Sequence, residues 1–200
     1  MTFWNVAAIP LVPASIMLLT TYVNAQTIFL LRNEDYFGVD ENKLGRVSSL
    51  LVVSGFPCAI VGTFTAGYLY DLFGRRPTLF VAFFMGSVCV SLIPWTSPSI
   101  LPGLMIVRII FQLFMSAPAA NPLLADYIHK TAIGKAATLV GLGFIVGEVL
   151  SMAVLFKVTK NLEPPMAFGI VAIVGAVFSC LFLFLITEPK LRHSAQSKPV

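Results

Sequence analysis

The chain has 200 residues, of which 58% are hydrophobic and only 11% charged, with a mean hydropathy of +0.90 and a net charge of +4. A soluble globule usually carries about a quarter of its residues as charges, so this composition excludes one and points to a chain whose apolar side chains face lipid. The small positive charge bears on membrane topology, not on nucleic-acid binding, and no nucleic-acid partner is expected.

Spans of roughly 20 apolar residues can be taken in chain order. The first covers about 3–31, is too long for the apolar core of a signal peptide and has no basic start or small-residue cleavage site. It reads as a retained span, with Pro10 and Pro13 as candidate kinks. A polar loop, 32–46, carries Arg32, Glu34, Asp35, Asp40, Glu41, Lys43 and Arg46. The second span covers about 47–70 and ends in a short charged turn, 71–77. The third covers about 78–96, and a Pro/Ser turn leads to the fourth, about 100–124. A polar loop, 125–135, precedes the fifth, about 136–156. A further turn, 157–165, precedes the sixth, about 166–186, and a polar tail, 187–200, follows.

The chain is therefore expected to be all-α, a single transmembrane domain over 1–200 with six transmembrane helices. The apolar runs are continuous instead of alternating, which argues against a β-barrel. One side of the membrane receives Arg75, Arg76, Lys130, Lys135, Lys190, Arg192 and Lys198; the other receives Arg32, Lys43, Arg46, Lys157 and Lys160. The excess of Lys and Arg on the first side marks it as cytoplasmic, with both termini and the tail there. The sequence does not distinguish the plasma membrane from an organelle membrane.

Cys58, Cys89 and Cys180 sit far apart in apolar runs, an arrangement that suits small packed hydrophobes more than disulfides or zinc. His129 and His193 lie in polar segments without metal-ligand spacing. No HExxH, GxSxG or phosphate-loop motif is present. Neither an enzyme, a metal site nor a cofactor is expected.

Two charges lie inside spans: Arg108 in the fourth and Glu148 in the fifth. At ~1.5 Å per residue both sit roughly 12–13 Å below the same, external, face. Charge at that depth is costly and belongs in the bundle interior or a water-filled cavity. Successive helices are often neighbours, so a direct Arg108–Glu148 ion pair is expected, either as a polar centre for a solute or proton or as a structural pair. Arg108, Gln112, Met115, Ser116 and Ala119 share one helix face. Asn24 and Gln26, in the first span, are placed to hydrogen-bond a solute or another helix. Gly141, Gly143 and Gly147 in the fifth span, with Gly169 and Gly175 in the sixth, suit close helix packing.

The end of the second span reads Gly67-Tyr68-Leu69-Tyr70-Asp71-Leu72-Phe73-Gly74-Arg75-Arg76-Pro77. Gly67 would admit a close backbone, Gly74 a tight reversal, and Asp71 would accept hydrogen bonds from Arg75 or Arg76. This G-x-L-x-D-x-x-G-R-R pattern resembles the signature loop between helices 2 and 3 of the major facilitator superfamily, with Leu72 where the family has a basic residue. Arg108 resembles that family's arginine in helix 4, with Gln112 where a glycine would follow. Asp126, then Gly134 and Lys135, resemble its loop into helix 5, and Thr187-Glu188-Pro189-Lys190 the end of its sixth helix.

The resemblance implies a six-helix half bundle built from a 3+3 repeat, with a central cavity lined by helices 1, 2, 4 and 5. It implies a loop that latches the cytoplasmic side when the transporter opens outward. It also implies alternating-access transport of a small solute, with proton coupling as one option. Members have two such halves, and this sequence stops where the linker between them would begin. A second six-helix half or a homodimer is therefore expected as partner, alongside membrane lipid. The alternative function is a truncated or non-transporting, transporter-like protein acting as a structural subunit.

Overall fold

The computed structural model describes residues 3–119 and 132–186, which fold into six helices long and apolar enough to cross a membrane. Helix α1 spans Phe3–Arg32, α2 Glu41–Phe73 and α3 Arg75–Leu92, with a 3-10 turn at Ile93–Thr96. A wide π turn at Ile100–Leu104 opens α4, Met105–Ala119. Helix α5, Ile133–Leu150, continues through a second π turn at Ser151–Leu155 into Phe156–Thr159; α6 spans Pro164–Leu185. Helices meet the requirement that lipid imposes, because every backbone bond closes within the segment. Asp126, His129 and the tail at 187–200 lie outside the described residues.

The helix ends differ from hydropathy in instructive places. Helix α2 begins at Glu41, nearly two turns before position 47, because its first residues are charged and project beyond the apolar stretch. Arg32 and Glu41 pair there at 2.6 Å, but both are well exposed, so the contact contributes little stability. Helix α1 runs on through Pro10 and Pro13 without interruption.

The packing is cross-paired. Helix α1 lies mainly against α5, α2 against α4, and α3 against α6; α3 also touches α4, and α1 touches α6. Exchanging α1 with α4, α2 with α5 and α3 with α6 maps this pattern onto itself, as a 3+3 repeat requires.

The glycines follow the same exchange. In α2, a Cβ at Gly62 would strike Ser116 and the Leu113 carbonyl of α4; in α5, a Cβ at Gly147 would strike Ala14 of α1. At the secondary contacts, Gly86 of α3 faces Met115 of α4, and Gly175 of α6 faces Ser87 of α3 and Leu19 of α1. Association in lipid depends on close packing of this kind, since the tails are as apolar as the side chains. Among the described residues no atom would lie within 4 Å of a Cβ at Gly141 or Gly169, so two of the five glycines proposed for close packing do not serve it there. Phe83 of α3 and Phe182 of α6 meet at 4.9 Å between ring centroids, and Ser179 donates to the Phe80 carbonyl at 2.8 Å. This fixes the side of the bundle away from the cavity described next.

Candidate functional site

A cavity of ≈ 400 Å³ is lined by residues of α1, α2, α4 and α5, the helices that the family resemblance implies. Helix periodicity explains each contribution. Thr21, Asn24, Ala25 and Ile28 form one face of α1, while Ser48, Leu51 and Val52 come from α2. Arg108 comes from α4, and Glu148 and Met152 from α5 one turn apart, with Met152 in the wide π turn. The volume falls within the range of about 300–1,000 Å³ usual for small-molecule sites.

Arg108 is only 6% exposed, on the face of α4 that also buries Phe111 and Met115. Its Nη2 donates to Asn24 Oδ1 at 2.5 Å, while Nη1 is buried with no partner. An unmade bond from a buried charged donor costs about 1–3 kcal/mol or more, so the described residues leave the hydrogen-bonding capacity of this guanidinium partly unfilled. Glu148 is exposed on the cavity wall. The expected Arg108–Glu148 ion pair is not formed: the pairs among the described residues are Arg32–Glu41 and Arg75–Asp71. The reason is the cross-pairing. Helix α5 packs on α1 instead of on its predecessor α4, which leaves Asn24 of α1 as the acceptor that Arg108 reaches.

Two other sequence candidates lie apart from this centre. Gln112 turns its aliphatic stem onto α2, where a Cβ at Gly55 would meet its Cβ and Cγ at 3.1 Å. Its position on the Arg108 face of α4 is offset enough to point between helices. Gln26 lines a neighbouring pocket with Phe29, Phe156, Lys157 and Lys160; Met152 borders both spaces. Sequence reading missed Thr21 and Ser48, because a single hydroxyl in an apolar run also serves its own helix and carries no distinctive signal.

At the opposite end, Gly74 closes α2 at φ 92 and donates its N–H to the Tyr70 carbonyl at 3.1 Å. A positive φ favours glycine, so the reversal read from sequence is present. Arg75 Nη1 donates to the Tyr70 carbonyl at 2.7 Å and to Asp71 Oδ1 at 3.2 Å. Arg76 donates to the Leu183 carbonyl near the end of α6, with Nε at 3.0 Å and Nη2 also engaged. Each arginine thus sits at the negative end of a helix dipole, Arg75 sharing the Tyr70 carbonyl of α2 with the Gly74 N–H and Arg76 binding the Leu183 carbonyl of α6. Tyr70 Oη donates to the Ala117 carbonyl at 3.1 Å, tying the same corner to α4. Among the described residues nothing approaches Gly67: a Cβ there would have no neighbour within 4 Å, so the close approach expected of it is not made by them.

A family model described as Major Facilitator Superfamily matches residues 3–199. The chain belongs to that superfamily. No curated protein sequence matches it. Among solved structures it is similar to the proton:xylose symporter XylE bound to 6-bromo-6-deoxy-D-glucose, at 19% identity and a TM-score of 0.72, covering 92% of this chain and 44% of that one. A crystal structure of a D-xylose–proton symporter gives 19% identity and a TM-score of 0.73, over 95% and 49%. The inward-open xylose transporter XylE from E. coli gives 22% and 0.69, over 92% and 48%. At these identities the likeness is one of fold. The chain spans less than half the length of each. It is a multi-pass integral membrane protein of a transporter family, with the six-helix fold of one transporter half.

Proposed function

We propose that this superfamily member moves a small solute across a membrane by alternating access, and that the active form contains at least two six-helix bundles. The second bundle would come from another copy, a partner chain or further sequence. The observation that carries this reading is the cavity between α1, α2, α4 and α5, with buried Arg108 bound to Asn24 and exposed Glu148 on one wall. A single bundle would leave this polar wall facing lipid, and an opposing bundle removes that cost. Rocking of two bundles about a site near the midplane then exposes the cavity to each side in turn. The corner at Gly74 supplies the latch. Its arginines hold the ends of α2 and α6, while Asp71, bound only by Arg75 among the described residues and otherwise exposed, is available to the facing bundle. The excess of basic residues supports a cytoplasmic position for this corner and for both termini. Proton coupling would fall to Glu148, the one carboxylate lining the cavity among the described residues.

The test is the mass of the purified assembly in detergent together with solute flux in liposomes. Two or more bundles per particle with flux support the reading. A strict single bundle with substrate-specific flux refutes the two-bundle mechanism. A single bundle with neither flux nor a partner in its native membrane refutes transport by this chain.

A further inference from the structure

The cavity also indicates what class of solute it takes. We propose, resting on the transport reading above, that the solute is a small carboxylate bound by the guanidinium of Arg108, which lines the cavity.

Among the described residues the cation of Arg108 forms no ion pair: its one hydrogen-bond partner there is the neutral amide of Asn24, and Nη1 has none. Guanidinium keeps its charge when buried and presents its donors in a fixed fork that matches an oxyanion. A neutral hydroxyl would satisfy the hydrogen bond but not the charge. The surroundings have the same sign. Lys157 and Lys160 line the neighbouring pocket, and Met152 borders both spaces. Among the described residues the two linings hold three cations and one carboxylate, Glu148. Cations near a site raise the local concentration of anions. Glu148 in turn sets the limit: it repels a doubly charged phosphate or sulfate more strongly than a singly charged carboxylate. It also offers a counter-charge to a solute that carries an ammonium group as well.

The experiment uses the full chain in lipid nanodiscs and follows thermal unfolding with matched probes: lactate against lactamide, leucine against leucinamide, and xylose and inorganic phosphate. The expected result is that at least one carboxylate raises Tm while its amide, xylose and phosphate do not. If leucine acts and lactate does not, the ammonium group is part of the recognised solute. Arg108→Lys, which keeps the charge but loses the fork, should weaken that carboxylate by about tenfold or more. Asn24→Asp is the sharper variant, because it places a fixed carboxylate on the guanidinium. It should raise Tm of the empty protein and abolish the shift from added carboxylate; a merely structural Arg108 predicts the first effect without the second.

Stabilisation by the amides or xylose to the same degree, by no carboxylate at all, or an unchanged carboxylate response in Asn24→Asp would overturn the proposal. The two readings fail separately. Flux of a neutral solute without any carboxylate response sinks the solute class and leaves transport standing. Carboxylate binding that Asn24→Asp abolishes, with no flux in any assembly, supports the binding site and sinks transport.

Discussion

Adding one methyl group at Gly147 should destabilise the bundle, whereas adding one at Gly141, on the same helix, should not. A Cβ at Gly147 falls within contact distance of the Ala14 carbonyl oxygen, and lies 2.8 Å from its carbon and 2.9 Å from its Cα. All three are backbone atoms of α1, so no rotamer relieves the clash. To bring the carbonyl oxygen to ordinary van der Waals contact, α1 and α5 must part locally by about an ångström or more, and overpacking of this kind costs about 1–3 kcal/mol. At Gly141 the new methyl meets nothing within 4 Å, and replacing glycine by alanine in a helix gains about 0.5–1 kcal/mol. That gain is common to both variants, so they should differ by the clash alone, about 1–3 kcal/mol, with Gly147→Ala the less stable. Reversible unfolding in mixed detergent micelles, followed by circular dichroism, measures the difference. Equal stabilities, or a more stable Gly147→Ala, would refute the close α1–α5 packing on which the shape of the cavity depends.

Two further outcomes follow from the same structure. Cysteines at Asn42 and Leu72, at opposite ends of α2 and in a background without native cysteines, should react with an impermeant thiol reagent from opposite sides, Asn42 from outside; reaction of both from one side contradicts the topology. Arg76→Ala removes the donors to the Leu183 carbonyl and should speed amide exchange over the last turn of α6 by about tenfold, the equivalent of one charge-assisted bond. Unchanged exchange there would mean that the arginine is not holding the helix end.

Much of the fold was legible because lipid leaves few options. Six apolar runs of spanning length could only be helices, and the run from Gly67 to Pro77 carried the family. The pairing of helices was not legible, since an apolar face fits any other apolar face. Arg108 and Glu148 were placed at one depth by counting residues, and they do border one cavity. Their expected ion pair failed because α5 lies on α1, so the arginine meets Asn24. The glycines show the same limit. Gly141, Gly143 and Gly147 are equivalent in sequence, yet only Gly143 and Gly147 touch α1, because a difference of two residues turns a side chain to the far face of the helix. The acceptor of Arg76 is a backbone carbonyl, which has no sequence signal at all.

Alternating access is the central claim, and the side from which one cavity residue can be reached tests it most directly. Thr21 lines the cavity on α1 about midway along its span. A cysteine replacing it, in a background without Cys58, Cys89 and Cys180, is to be labelled in sealed liposomes with an impermeant thiol reagent applied first outside and then inside. The account predicts reaction from both sides, with solute shifting the balance between them. Reaction from one side only, under every solute condition, would contradict it.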